Sequence, residues 1–302
     1  MAGRALTVLR LGTIGSRVLP LGPMVAVVQA AARRLGPRLM PDKAAILQRH
    51  LERVATTGPV PTAAGQAASG IASYARYWVE FFRLPGLGDT ELDRGFSFVG
   101  YDRLEDVRAA GYGPLLVLPH LGGWEWAAAW LGRISEVEVT AVVERLEPEE
   151  VFTWFARLRR NLGITVIPLG AGATGALIAA VKRRSIVCLL ADRDIGGNGV
   201  EVEFFGERTT VPIGPALLSR RTGAPLIPVA VFFRGRQRIC VVGEPVWPAA
   251  ERRPAGGTRA AAIAVTQEFV RSLEDLIRQA PEQWHLLEPN WPSDRDGLPL
   301  PA

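Results

Sequence analysis

The sequence predicts an α/β fold: a central, mainly parallel β-sheet flanked by helices on both faces, preceded by a helical N-terminal region. Three observations carry this. From Gly113 onward, short apolar runs alternate with helical stretches. Those runs are mostly apolar along their length, the pattern of strands buried on both sides. The first third, by contrast, is rich in Ala with apolar residues at helical spacing. A chain of 302 residues, 48% hydrophobic and 22% charged, holds enough apolar surface for a substantial core. No linker, low-complexity tract or internal repeat demands a second domain. Residues 1–302 therefore read as one domain, with 1–100 mainly helical and 113–291 forming the α/β core.

At the N-terminus, residues 6–32 are apolar, interrupted by Arg10 and Arg17, broken by Pro20 and Pro23, and followed by Arg33 and Arg34. No stretch reaches the 18 or so uninterrupted apolar residues of a membrane span. Two short helices lying in a membrane interface, arginines at the headgroups, fit this composition; an ordinary packed helical pair is the other reading. Residues 43–55 place Ala45, Leu47, Leu51 and Val54 near one helical face. Residues 65–83 end in Tyr74, Tyr77, Trp78, Phe81 and Phe82, spaced so that they share a face. Such a stripe packs in a core or, beside a lipid site, lines an acyl channel.

In the core, residues 114–118, 137–143, 164–169, 185–191, 226–233 and 238–242 read as strands. Residues 124–131, 147–162, 174–184 and 214–222 read as helices. The tail after Glu288, rich in Pro and Asp, reads as a loose surface segment. Cys188 and Cys240 fall in apolar strand-like runs and read as buried thiols, with no metal-ligand spacing. The net charge of +5 admits anionic membranes, phosphorylated ligands or nucleic acid and does not by itself choose among them. Nucleic acid is not an expected partner.

Gly170-Ala-Gly172-Ala-Thr-Gly175 satisfies the dinucleotide-binding pattern, with a strand before it, a helix after it and Asp192 and Asp194 beyond. Its position past the middle of the chain and its dense acidic end disfavour a nicotinamide site.

Of three histidines, His50 lies in a charged helical stretch and reads as solvated, and His285, between Trp284 and Leu286, as packed or hydrogen-bonded. His120 stands where a buried strand stops, in Pro119-His-Leu-Gly-Gly-Trp-Glu125. Ligand clefts form at the C-terminal ends of parallel strands. Five residues along one helix amount to about 140° of rotation, so His120 and Glu125 converge only through the Gly122-Gly123 turn. An imidazole here can take a proton from a sugar or glycerol hydroxyl attacking a thioester, a carboxylate can hold its tautomer, and backbone N–H groups around Gly122, Gly123 and Trp124 can receive the oxyanion. Without a Ser or Cys nucleophile motif, direct transfer is expected rather than an acyl-enzyme.

Residues 119–126 (PHLGGWEW) resemble the His-x4-Asp/Glu signature of the bacterial lipid A late acyltransferase family. Leu189-Leu-Ala-Asp-Arg-Asp-Ile-Gly196, Val202-Glu-Phe-Phe-Gly206, Val211-Pro-Ile-Gly-Pro-Ala216, Gly223-Ala-Pro-Leu-Ile-Pro228 and Pro281-Glu-Gln-Trp284 are similar to its later blocks, in the same order. Within that family the chain looks most like the actinobacterial branch that acylates phosphatidylinositol mannosides. The resemblance implies a glycerolipid-acyltransferase-like fold, peripheral attachment to the cytoplasmic face of the plasma membrane, and transfer of a palmitoyl-type chain from acyl-CoA to a mannose hydroxyl. It implies no cofactor beyond acyl-CoA as donor substrate, and no metal. By position His120 is the base and Glu125 the motif acid. Asp194, with Asp192 close behind, is the expected imidazole partner, and Arg157, Arg160 and Arg193 are candidates for phosphate contacts. A lysophospholipid or lipid A precursor as acceptor, a non-catalytic lipid-binding protein and an NAD-binding enzyme are the alternatives.

Overall fold

The segment Leu115-Leu-Val-Leu118 offers no polar side chain to water, and it forms a strand at the middle of the sheet. The computed structural model describes residues 12, 13, 15, 20–60, 66–248 and 257–295. Its strands are β1 (Phe96–Val99), β2 (Leu115–Leu118), β3 (Val139–Val143), β4 (Ile164–Pro168), β5 (Ile186–Leu190), β6 (Val200–Phe204), β7 (Glu207–Val211), β8 (Leu226–Arg234) and β9 (Gln237–Val242). Seven of them make one sheet in the order β1-β9-β8-β2-β5-β3-β4, while β6 and β7 form a separate hairpin. Every pairing in the large sheet is parallel except β8 with β9.

The helices are α1 (Leu21–Leu39), α2 (Pro41–Thr56), α3 (Ala67–Arg83), α4 (Asp89–Arg94), α5 (Tyr101–Ala109), α6 (Trp124–Arg133), α7 (Glu149–Arg160), α8 (Ala173–Lys182), α9 (Gly214–Thr222) and α10 (Gly257–Arg278). Because side chains alternate along a strand, β2 feeds two cores. Leu115 and Val117 join Ala180, Ala216, Phe269 and Trp284 on one face. Leu116 and Leu118 join Leu104, Ala128 and Leu131 on the other. The sheet is thus covered on both sides, as its apolar strands require.

The structure departs from the sequence reading in several places. The second half of the apolar N-terminal segment and the residues after it form one helix, α1, which Pro23 does not break: it stands in the first turn, where N–H groups have no intrahelical acceptor to lose. The part of the 6–32 segment before residue 20 lies almost wholly outside the described residues. Among the described residues no helix is long and apolar enough to cross a membrane. In α2 the inward face uses Ala44, Ile46 and His50, not Ala45. The hairpin β6–β7 and the long helix α10 have no counterpart in the sequence reading.

The tail is not loose through residue 295. Trp291 and Asp294 are buried. One Asp294 oxygen accepts the Asn290 and Trp291 N–H groups at 2.8 and 3.0 Å and lies 2.8 Å from His50 Nε2. Arg53 donates to its other oxygen at 3.1 Å. His50, expected on a solvated face, is therefore fully buried, its Nδ1 3.0 Å from the Leu286 carbonyl. These hydrogen bonds hold the Asp294 carboxyl well below the usual carboxylate range against burial, which pushes it up.

Candidate active site

Strands β2 and β5 are parallel neighbours, with Leu118 opposite Leu190. Each chain runs two residues further, which brings His120 and Asp192 side by side at the C-terminal edge of the sheet. His120 Nδ1 lies 2.6 Å from Asp192 Oδ1, and the His120 backbone N–H donates to Oδ2 at 2.8 Å. Trp284 Nε1 donates to the same Oδ2 at 2.7 Å. Asp192 is completely buried, and burial alone would raise its proton affinity; the His120 charge and these hydrogen bonds outweigh it and hold the carboxyl below its ordinary range. For His120, burial pulls down, but the charge and hydrogen bond of Asp192 prevail and raise the ring above the ordinary imidazole value, with Arg193 opposing. With Asp192 ionised, Nδ1 carries the proton, and Nε2 is left with a lone pair and no protein partner among the described residues. The side chain keeps 29% of its surface open, and it faces a cavity.

His285 sits against the same wall. Its backbone N–H donates to the His120 carbonyl at 2.7 Å, and its Nε2 lies 2.9 Å from Ser73 Oγ. Its ring packs on Tyr74 and Tyr77. Burial and the His120 charge push its pKa down to about 3, so it is neutral near pH 7.

Glu125 does not reach His120. It is buried in the first turn of α6, where one oxygen accepts Tyr77 Oη and Arg159 Nη2, both at 3.0 Å, and the other has no partner among the described residues. Tyr77 keeps its proton, pushed well above the usual phenol value by burial and by Glu125.

The cavity has a volume of about 1,410 Å³, beyond the roughly 300–1,000 Å³ of a drug-sized site. One flank carries the aromatics Tyr74, Tyr77 and Trp78 of α3 with Arg159. The other runs between α8 and α9 over the end of β5, lined by Leu177, Leu189, Ile213, Leu217 and Leu218. An imidazole with a free lone pair at the wall of a large apolar cavity can take a proton from a group bound there.

Comparison with known proteins gives this geometry a context. Residues 8–293 match the model of the bacterial lipid A biosynthesis acyltransferases. The chain belongs to that family. This acyltransferase is 35% identical over 288 residues to a phosphatidylinositol mannoside acyltransferase of Mycobacterium tuberculosis (strain ATCC 25618 / H37Rv), covering 94% of this chain and 87% of the relative. It is 34% identical over 281 residues to a protein of the same name from Mycolicibacterium smegmatis (strain ATCC 700084 / mc(2)155), covering 92% and 88%.

Among the residues singled out from sequence, the acyltransferase brings His120, Gly122, Trp124, Arg193 and Asp194 to the cavity wall. The order of preference between the two aspartates is reversed: Asp192 holds the imidazole, whereas Asp194 turns to accept the Gly199 N–H at 2.8 Å. Arg157 and Arg160 face solvent, and Arg159 between them faces the cavity. The signal for Arg159 was present, because Phe152, Phe155 and Ala156 are buried and residue 159 continues that face. The expected oxyanion donors are taken at two of three positions. Gly122 N–H donates to the Gln283 carbonyl at 2.9 Å and Gly123 N–H to Val231 at 3.3 Å. Gly122 is required for close approach: its φ is +59°, and a Cβ there would stand 1.7 Å from the Val231 carbonyl oxygen. The 170–175 turn leads from β4 into α8 and contributes Gly170, Ala173 and Thr174 to the same cavity. Cys188 and Cys240 are buried free thiols, the first pushed up to about 12 by burial.

Proposed function

We propose that the enzyme transfers a long, palmitoyl-type acyl chain from acyl-CoA to a mannose hydroxyl of a phosphatidylinositol mannoside, by direct attack and at the cytoplasmic face of the plasma membrane. The observation that carries the reading is the His120–Asp192 pair at the wall of a large apolar cavity. The names of the relatives supply the acceptor class. In this mechanism His120 Nε2 removes the proton of the acceptor hydroxyl as its oxygen attacks the thioester carbonyl carbon. Asp192 holds the Nδ1–H and stabilises the imidazolium. The tetrahedral intermediate then collapses: the C–S bond breaks, the CoA sulfur leaves, and the imidazolium returns the proton to it. The aromatic flank and the α8–α9 flank give the two substrates' apolar chains places out of water. Membrane attachment rests on α1, whose exposed Val27, Leu35 and Leu39 share one side with Arg34 and Arg38.

The test is transfer of labelled acyl groups from acyl-CoA to a panel of mannosylated and lyso-lipid acceptors. Mannosylated phosphatidylinositol is the acceptor expected to be labelled; label appearing only in lyso-lipids would replace the acceptor. His120→Ala is expected to lower turnover by about 10²–10⁴-fold with an unchanged melting temperature. Unaltered turnover in that variant would remove His120 from the mechanism.

A further inference from the structure

Five basic side chains line the cavity, Lys43, Arg159, Arg193, Arg220 and Arg221, against the acids Glu144, Asp194 and Glu288. Arg159 is paired with Glu125 and Lys43 with Glu288. Arg220 and Arg221, both on the cavity wall and without an ion-pair partner among the described residues, differ in burial: Arg221 is open to solvent and Arg220 is half-buried. Arg220 is the sharper case, because its Nε and Nη1 are buried and unpartnered. Charged donors taken out of water and left unmatched cost stability, so their retention calls for a ligand that matches them.

Their place in the fold sets where that ligand group lies. Helix α9 starts after Pro212 and Ile213 and leads through Ala224 into β8, whose Leu226 pairs with Leu115 at the start of β2. His120 follows the other end of β2. Arg220 and Arg221 are therefore at the end of the cavity away from the imidazole, seven or eight residues of helix beyond Ile213, or about 10 Å. The wall between is apolar, with Leu177, Leu217 and Leu218.

We infer that Arg220, with Arg221 beside it, forms a phosphate-binding subsite for a substrate phosphate tethered at the end of the cavity away from the reacting atoms. The inference rests on the acyl-CoA and glycolipid reading above. Two substrate groups share this chemistry: the phosphates of the donor's CoA, and the phosphodiester of the acceptor. A guanidinium fork meets either with paired charge-assisted hydrogen bonds.

Steady-state kinetics on the full chain separate them. Arg220→Gln and Arg221→Gln are compared with wild type using acyl-CoA, using acyl-pantetheine (the same thioester without the phosphates), and across acceptor concentrations. A donor subsite raises KM for acyl-CoA by about tenfold in R220Q and leaves KM for acyl-pantetheine unchanged. An acceptor subsite raises KM for the acceptor with either donor. R220K, which keeps the charge but not the fork, is expected to fall between. R220Q is expected to melt no lower than wild type, since it removes an unmatched buried charge. Unchanged KM for all three substrates in R220Q overturns the inference, as does a lowered melting temperature with all three raised alike. A wild-type enzyme inert toward acyl-CoA would instead sink the donor reading. The subsite is then judged by thermal stabilisation with inorganic pyrophosphate, expected in wild type and lost in R220Q; stabilisation equal in both also overturns it.

Discussion

Asp192 acts on His120 in two ways that one substitution can pull apart. It supplies the charge that lifts the imidazole above its ordinary value, and it accepts the Nδ1–H that fixes the tautomer. On the proposed mechanism His120 must be neutral to work, so activity is expected to fall as pH drops through its pKa, with the acid limb of kcat/KM above the ordinary imidazole range. In Asp192→Asn the charge is gone while burial, which pulls the other way, remains. The acid limb is expected to move to lower pH with a reduced plateau; a limb that stays in place while activity falls would make Asp192 structural only. That one of the aspartates serves His120 was legible in the sequence. Which one was not, because residues 192 and 194 have the same parity along the extended chain, and only the register of β2 on β5 selects between them. Glu125 stands in the first turn of α6, as its spacing from His120 predicts; its partners, Tyr77 and Arg159, come from elements remote in sequence and were not legible there.

At the scale of elements, α3 is fastened to the sheet through a buried carboxylate. Glu80 accepts Arg76 Nε and Arg238 Nε, each at 2.7 Å, and is 1% exposed. Arg238 also stacks on Trp126, its guanidinium carbon 4.1 Å from the ring centroid. Removing the shared acid leaves two cations without it in a dry site, so Glu80→Ala is expected to cost about 3–5 kcal/mol in denaturant unfolding. A loss under about 1 kcal/mol would mean that the arginines relax to water. Since α3 also carries Tyr74, Tyr77 and Trp78, the variant should loosen the aromatic flank as well. The parallel strands were readable because they are apolar throughout. The β6–β7 hairpin shows no apolar run because it alternates, with Val200, Val202 and Phe204 buried and Glu201 and Glu203 exposed. The inward face of α7, and Arg159 with it, is written in the helical spacing of Phe152, Phe155 and Ala156.

On the scale of the molecule, α1 and the cavity share a border. Met40, just past the end of α1, lines the cavity, and the exposed Leu35 and Leu39 lead up to it. If this side rests on a bilayer, replacing Val27, Leu35 and Leu39 together by Ser should reduce co-sedimentation with anionic vesicles several-fold and leave transfer to detergent-dispersed acceptor intact. Equal sedimentation of the two proteins would place the contact elsewhere. The C-terminal segment matters at the same scale. Trp284 donates to the Asp192 carboxylate, Asn290 donates to its backbone carbonyl at 3.1 Å, and His285 braces the His120 carbonyl. His120 and Asp192 are synthesised well before these partners, 92 residues separating Asp192 from Trp284. A chain halted between them holds both members of the pair but lacks the indole that helps keep the aspartate ionised. On the proposed mechanism, the pair is complete only when the segment from Trp284 to Asn290, the last part of the fold to be made, has closed over it.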